Sequence, residues 1–229
     1  MINDNLAHVK ERVKAACMRS GRNPDDVTIL AVSKTKPAED IMALYEAGQR
    51  DFGENYVQEL REKHEKLPSD IRWHMIGHLQ RNKVKYIADF IEMIHSVDSA
   101  ALALTIEKEA AKHDRVIPVL IEVNVAGEES KYGVTPDEVP ELARVIGDLP
   151  HVSLRGLMTS APLVRDPEED RAVFRKLAQL GVDMNLENDN NVKVDVLSMG
   201  MSNDFEVAVE EGSTCVRVGT VIFGARVYG

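Results

Sequence analysis

The amino-acid sequence predicts a single (β/α)8 TIM barrel preceded by one additional N-terminal helix. Eight apolar segments rich in β-branched residues recur along the 229 residues, and each is followed by a segment whose apolar residues have helical spacing. Such alternation forms a parallel sheet, and eight strands with short connections indicate that the sheet closes. A doubly wound open sheet is the alternative, but it usually has fewer strands. We therefore expect residues 1–229 to form one barrel domain.

The first predicted elements are a helix, a strand and a second helix. Apolar residues recur at spacings of three and four from Leu6 to Cys17, which marks one face of a helix that ends near Gly21. The apolar run at 27–34 predicts a buried parallel strand, and it carries Lys34 at its C-terminal end. A helix from Ala38 to Ala47 follows.

The same alternation continues along the chain. Further strands are predicted at 49–53, 72–76, 91–97, 116–125, 152–158, 192–198 and 215–219, the last of which runs on into 220–224. The helices between them are predicted up to 67 and at 82–87, 100–112, 136–147, 168–180 and 204–211. The polar run at 187–191 precedes a strand and therefore predicts a solvated loop on the face opposite to the chemistry.

Composition excludes several classes of protein. The formal net charge of −10 argues against a general affinity for nucleic acid or for anionic membranes. No apolar stretch reaches the ~18 residues of a membrane span, and the polar first residues do not form a signal peptide. Two distant cysteines, Cys17 and Cys215, suit a reducing compartment. We expect a cytoplasmic protein.

Polar side chains follow the predicted strands at the end where an α/β barrel carries its chemistry. In strand order they are Lys34, Asn55, His78, Asp98, Asn124, Thr159, Ser198 and Arg217. A lysine that is partly desolvated at a strand end has a lowered pKa and can form a Schiff base. The alternative is an ordinary solvated lysine, since most lysines are exposed.

The loops after the seventh and eighth strands are where barrels often bind phosphate. In the segment 198–204, a glycine at 200 lets the backbone approach a ligand, and Ser198 and Ser202 offer hydroxyl donors. Gly219 and Thr220 add a second glycine and a further hydroxyl from the neighbouring strand. The alternative is that Ser202 or the following asparagine only caps the next helix.

Strand alternation places Arg217 and Gly219 on the same face of the last strand. A guanidinium between the sheet and its covering helix would be badly desolvated, so Arg217 is predicted to point into the barrel mouth. There it pairs with Asp98 or meets a ligand. His74 and His78 fall on a strand and its loop, so we expect no zinc site from them, and no nucleotide-binding glycine loop or nucleophile elbow is present.

Six segments of the chain resemble the pyridoxal phosphate homeostasis proteins, a family similar to the barrel domain of alanine racemase. They are AVSKTKP (31–37), FGENY (52–56), HMIGHLQRNK (74–83), RGLM (155–158), LSMGMS (197–202) and VRVGT (216–220). The resemblance covers nearly the whole chain. It implies a single barrel of the kind found at the N-terminus of alanine racemase.

The resemblance also implies a set of ligand contacts. Lys34 would hold pyridoxal 5′-phosphate as an internal aldimine, and Asn55 would lie near this cofactor. The phosphate contacts implied by the family are Ser198, Gly219 and Thr220, with Ser202 or Met201. Lys36 is the rival for the Schiff base, because it shares strand parity with Lys34, but it lies further out, directly before Pro37.

Through the family, Arg217 would face the pyridine nitrogen of the cofactor. An arginine does not give up its proton, so the nitrogen would stay unprotonated and the ring would be a weak electron sink. Racemases of this fold, as the resemblance implies, also need a tyrosine base from a further β domain of the partner subunit, and we expect no such domain here. The alternative is that a tyrosine of this chain reaches the mouth, and the candidates are Tyr45, Tyr56, Tyr86, Tyr132 and Tyr228.

The predicted function is therefore to carry and buffer pyridoxal phosphate, with effects on amino-acid metabolism and little or no catalysis. We expect a monomer whose partners are the cofactor and, as its recipients, apoenzymes that depend on pyridoxal phosphate. The alternatives are an amino-acid racemase that uses pyridoxal phosphate, and a phosphate-ester isomerase barrel without a cofactor.

Overall fold

The computed structural model describes residues 1–128, 130–186 and 193–224, and its eight parallel strands close into a barrel in sequence order. The strands are β1 (Thr28–Val32), β2 (Asp51–Glu54), β3 (Arg72–Met75), β4 (Met93–Val97), β5 (Ile117–Glu122), β6 (Val152–Met158), β7 (Val196–Ser198) and β8 (Cys215–Val218). Pairing of Leu30 with Arg217 joins β1 to β8 and completes the ring. The predicted fold is confirmed.

Eight α-helices accompany the strands within the described ranges. They are α1 (Ile2–Arg19), α2 (Ala38–Glu46), α3 (Val57–Lys66), α4 (Ala100–Lys112), α5 (Val139–Gly147), α6 (Arg171–Leu186), α7 (Phe205–Glu210) and α8 (Thr220–Phe223). None of the helices in the described ranges is long and apolar enough to cross a bilayer.

Several local predictions differ from the structure. The segment Arg81–Tyr86 is a 3-10 helix instead of the α-helix expected there, and 3-10 turns also precede α5 and α6. Residues 220–223 turn into α8 instead of continuing the last strand, because Phe223 donates its N–H to the carbonyl of Gly219. The predicted loop at 187–191 and the predicted strand start at Val192 lie outside the described residues.

The main hydrophobic core lies between the barrel and its helices. Its largest fully buried side chains are aromatic, with Phe52 and Trp73 on the strands and Phe174 and Phe205 on the helices. Burial of each such ring removes a large apolar area from water, which stabilises the two-layer arrangement.

The additional N-terminal helix supports the end of the chain that carries the phosphate-loop candidates. Asn5 donates from Nδ2 to the carbonyl of Ile222 in α8 at 2.9 Å. Arg12 lies 2.7 Å from Glu206 in α7 and covers the ring of Phe205. Helix α1 therefore holds α7 and α8 in place from outside the barrel.

The interior of the barrel is polar at its centre. Leu30 packs inside the barrel against Gly53. A Cβ atom built on Gly53 would lie 3.0 Å from the Leu30 side chain. Bulky aliphatic residues usually fill this space. Here His74, His95, Ser198 and Arg217 are buried on the inner face, so each needs hydrogen-bond partners within the barrel.

Candidate functional site

The two candidate lysines follow β1 in a tight turn. Strand β1 ends at Val32, Ser33 is fully buried, and its carbonyl accepts the N–H of Lys36 at 3.0 Å. Lys34 is half-buried in this turn. Lys36 donates from Nζ to the carbonyls of Phe223 and Gly224 at 3.2 and 3.4 Å. The ammonium group of Lys36 therefore fastens the C-terminal end of α8.

The turn at Lys34 has an unusual backbone conformation. Thr35 has φ of 63°, in the left-handed region that a β-branched residue rarely occupies. Its N–H donates to Glu59 of α3 at 2.6 Å. Strained backbone of this kind persists only where the surroundings hold it.

A buried ion network supplies that support. Lys63 of α3 donates from Nζ to the carbonyl of Ser33 and to the carboxylates of Glu54 and Glu59, each at 2.7 Å. The Ser33 hydroxyl donates to Glu54 at 2.6 Å. These bonds fix the strand end directly before Lys34.

Glu54 titrates abnormally in this network. Its side chain is fully buried, and burial raises its pKa to about 6 although Lys63 and Ser33 act in the opposite direction. Because the carboxylate is shielded from water, its ionised form depends on the Lys63 ammonium.

The two phosphate-loop candidates meet at Ser202. Its hydroxyl oxygen accepts the backbone N–H groups of Gly219 and Val221, at 3.2 and 3.5 Å. Thr220 lies between these two residues and is exposed. Two backbone donors thus converge on one oxygen, an arrangement that also suits an oxygen of a phosphate group.

The capping alternative for Ser202 is wrong. Asp204 is the N-cap of α7, and its carboxylate accepts the N–H of Met201. The segment reaches this turn because Gly200 has φ of 92°, and a Cβ atom there would lie 2.5 Å from that of Ala208. Ser202 is therefore left to face the loop after β8.

Arg217 is buried and points into the barrel, as strand parity predicts. It donates to the carbonyl and hydroxyl oxygens of Ser198 at 2.7 and 2.8 Å, and to the carbonyl of Thr159 at 2.8 Å. The ion pair with Asp98 is not formed, because Asp98 lies beside His78, 3.4 Å from its Nδ1 atom. The hydroxyl of Ser198 is fully occupied inside the barrel, so its contact with phosphate stays a prediction.

Asn55 lies at the edge of a cavity of about 530 Å³ beside the ends of β2 and β3. Its side-chain oxygen is buried, and no donor among the described residues reaches it. His78 and Tyr132 stack across the same cavity, with ring centroids 4.0 Å apart. Asn55 therefore carries a buried acceptor with no donor among the described residues, at the edge of this cavity.

Comparison with known proteins identifies the family. The family model for the alanine racemase N-terminal domain matches residues 5–227. A protein of Aquifex aeolicus described as a pyridoxal phosphate homeostasis protein is 48% identical to this chain, over 98% of either chain. This chain belongs to the pyridoxal phosphate homeostasis protein family.

Solved structures agree with this membership. PipY of Synechococcus elongatus, determined with pyridoxal phosphate bound, is 36% identical and superposes with a TM-score of 0.81 over 98% of this chain and 100% of PipY. Alanine racemase of Corynebacterium glutamicum is 17% identical, with a TM-score of 0.68 over 97% of this chain and 61% of the racemase. The second likeness shows the fold alone.

Several residues of this family member were not singled out from the sequence. Glu54 and Lys63 form the network behind Lys34, and the i, i+4 spacing of Glu59 and Lys63 on a predicted helix was the available signal. Glu122 ends β5 inside the barrel, and one of its carboxylate oxygens is buried with no donor among the described residues. Burial raises the pKa of Glu122 to about 7, while Arg217 opposes this rise.

Metal ligation finds no support in the described part of the chain, where no three histidine, cysteine or acidic side chains cluster. His74 lies 2.9 Å from His95, whereas His78 faces Asp98 and Tyr132. The two histidines that are four apart in sequence thus belong to different surroundings.

Proposed function

We propose that this protein binds pyridoxal 5′-phosphate at the barrel mouth, as a Schiff base of Lys34, and that it carries and buffers the cofactor. The observation that carries this proposal is the convergence of the Gly219 and Val221 N–H groups on Ser202. Membership of the family, and the pyridoxal phosphate bound to PipY, support the choice of ligand.

The residues fit a phosphate ester on their chemistry. Gly219 supplies an N–H group and no side chain, and a Cβ atom at this position would lie 3.3 Å from the carbonyl of Val32. Ser202 and Thr220 add hydroxyl donors from the two loops. Ser198, the last residue of β7, and Met201 in the loop after it complete the proposed site. The Ser198 hydroxyl also accepts from Arg217, and the Met201 N–H also donates to Asp204.

Lys34 is the better of the two lysines for the Schiff base. Lys36 is committed to the carbonyls at the end of α8, and removing it from them would leave those acceptors without their charged donor. Lys34 instead occupies the turn that the Glu54–Lys63–Glu59 network holds. Asn55 offers its unused acceptor oxygen to the cofactor from the next strand.

Arg217 determines the chemistry that the site supports. When bound, pyridoxal phosphate supplies an electron-withdrawing ring conjugated with its imine. Arg217 is buried and keeps its proton at ordinary pH, so it acts as a hydrogen-bond donor to the ring nitrogen and does not protonate it. A ring of this kind stabilises a carbanion poorly, which supports a carrier with little or no catalysis.

Three further features belong to this proposal. Apoenzymes that depend on pyridoxal phosphate are the proposed recipients of the cofactor, and the protein acts as a monomer in the cytoplasm. Both cysteines, Cys17 and Cys215, are buried free thiols, which suits a reducing compartment.

The test is reconstitution of the purified protein with pyridoxal phosphate, followed by borohydride reduction and peptide mapping. Lys34→Ala is expected to abolish the visible absorption of the bound cofactor and the reduced adduct. Lys36→Ala is the matched control, two residues away, and is expected to retain both. Labelling of Lys36 in the native protein, or a protein that stays colourless, would overturn the assignment.

The racemase alternative is decided with the same material. Incubation with L-alanine is expected to yield no D-alanine above the rate of free cofactor. Robust turnover that disappears with Lys34→Ala would replace the carrier function with catalysis.

A further inference from the structure

A continuous row of hydrogen-bonded polar side chains crosses the inside of the barrel. Arg217 donates to the hydroxyl of Ser198 at 2.8 Å, and this hydroxyl lies 2.9 Å from Nδ1 of His95. Nε2 of His95 lies 2.9 Å from Nδ1 of His74, and Nε2 of His74 lies 3.4 Å from Asp51. Five side chains from five strands thus link the barrel mouth to the start of β2.

When both imidazoles are neutral, the two end residues of this row, Asp51 and Arg217, fix the direction of every hydrogen bond in it. Asp51 is ionised and accepts only, so His74 carries its proton on Nε2 and accepts at Nδ1. His95 then donates from Nε2 and accepts at Nδ1, which leaves the Ser198 hydroxyl proton directed at His95. The lone pair of Ser198 consequently faces Arg217, whose guanidinium can only donate.

The charges around this row of side chains agree with these hydrogen-bond directions. Burial opposes ionisation of Asp51, but hydrogen bonds from Arg72 and His74 outweigh it and lower its pKa to about 2. Burial, together with the neighbouring His74 and the positive charge of Arg217, lowers the pKa of His95 well below its ordinary value, so this ring is neutral. His95 is fully enclosed and has no other side-chain partner than Ser198 and His74 among the described residues.

We propose that His95, backed by His74, is a positioning residue that sets the orientation of Arg217 through the Ser198 hydroxyl. This role rests on the proposed function, in which Arg217 meets the ring nitrogen of pyridoxal phosphate. The hydrogen bonds of His95 go to Ser198 and His74 and not to the guanidinium. His95 acts by fixing the orientation of the Ser198 hydroxyl, whose oxygen holds one arm of the guanidinium together with the Ser198 carbonyl, while the Thr159 carbonyl holds the other arm.

Three substitutions at His95 separate this role from simple packing. His95→Asn places an amide near the position of Nδ1 and keeps a partner for Ser198, but it loses His74. His95→Gln reaches the position of Nε2 and keeps His74, but it loses Ser198. His95→Leu loses both partners and keeps most of the volume.

The readouts are the side-chain nitrogen spectrum of the protein without cofactor and the absorption maximum after pyridoxal phosphate is added. The native protein is expected to show both histidines as Nε2–H tautomers and slowly exchanging Arg217 guanidinium protons. This exchange is expected to accelerate roughly tenfold in His95→Gln and His95→Leu, because that factor corresponds to the loss of one hydrogen bond to a charged group. It is expected to stay slow in His95→Asn. The absorption maximum is expected to shift in the same two variants only.

Two results would overturn the role. One is an Nδ1–H tautomer of His95 in the native protein, and the other is an exchange rate that follows the thermal stability of the variants instead of the Ser198 contact. If pyridoxal phosphate does not bind at all, the proposed function fails, but tautomers and proton exchange still decide the role of His95. If it binds and exchange is unaltered in His95→Gln, only the positioning role fails.

Discussion

Replacement of Lys63 by methionine tests whether the buried ion network carries the turn at Lys34. Methionine keeps the length and most of the volume of lysine but removes the ammonium that serves Ser33, Glu54 and Glu59. The side chains of Lys63 and Glu54 are 9% and 0% exposed, so water cannot replace the lost bonds. Removing one member of such a pair costs roughly 3–5 kcal/mol of unfolding free energy at pH 8.

The same loss depends on pH in a defined direction. Glu54 has a pKa of about 6 in the folded protein against an ordinary 4.5, so its ionisation destabilises the fold as pH rises through this window. In the native protein this difference corresponds to ~2 kcal/mol. Without Lys63 the folded pKa rises further, and protonating Glu54 relieves the unpaired charge. Because neutralising a free carboxyl costs only ~1.4 kcal/mol at pH 5.5, the penalty is expected to fall to about 2 kcal/mol there.

Urea unfolding at pH 5.5 and pH 8 measures both values, followed by the fluorescence of Trp73, the single tryptophan of the chain, which is 1% exposed. Lys66→Met on the exposed side of the same helix is the control and is expected to change stability by less than ~0.5 kcal/mol. In a Glu54→Gln background, Lys63→Met is expected to cost the same unfolding free energy at both pH values. A Lys63→Met protein that loses the same free energy at both pH values would refute the reasoning.

Three other expectations concern the mouth of the barrel. Burial raises the pKa of Glu122 to about 7, so the native protein loses stability as pH rises from 4.5 through 7. Glu122→Gln is expected to remove up to ~3 kcal/mol of that loss in urea unfolding. Parallel pH profiles of stability for the native protein and the variant would contradict this. Ser202→Ala removes the oxygen shared by two backbone N–H groups. A fluorescence titration is expected to show roughly tenfold weaker binding of pyridoxal phosphate. Unchanged affinity would exclude Ser202 from the site. Thr35→Asn suits the φ of 63° and is expected to add about 0.5–1 kcal/mol to the unfolding free energy, whereas a lower melting temperature would show that the turn is not strained.

Local pattern was sufficient for the elements and for the facing of Arg217. The apolar runs and helical spacings are properties of neighbouring residues, and eight alternating units leave few ways to cover both faces of a parallel sheet. Strand parity then places Arg217 inside, because an outward guanidinium would be desolvated against a helix. The position of Lys34 at a strand end followed from the same local information.

Choices between near-equivalent polar groups were decided by tertiary structure. The sequence offered Ser202 or Asn203 as the cap of α7, but the N-cap residue is Asp204, whose carboxylate accepts the N–H of Met201 ahead of the helix. Local position favoured Lys34 over Lys36 for the Schiff base, but the bonds of Lys36 to the carbonyls of Phe223 and Gly224 are formed only in the tertiary structure. Lys36 took the carbonyls of α8 because barrel closure brings β1 beside β8.

By itself the sequence determined the order of the strands, the mouth at which their ends meet, and the lysine, arginine and glycine-containing loops placed there. Only the tertiary structure decided that Lys63 donates to the carbonyl of Ser33, directly before Lys34. The same holds for the connection of Asp51 with Arg217 through His74 and His95. These partners are distant along the chain, and their contact depends on strand register and on closure of the ring. Register is a property of paired strands, so no single segment of the chain contains it.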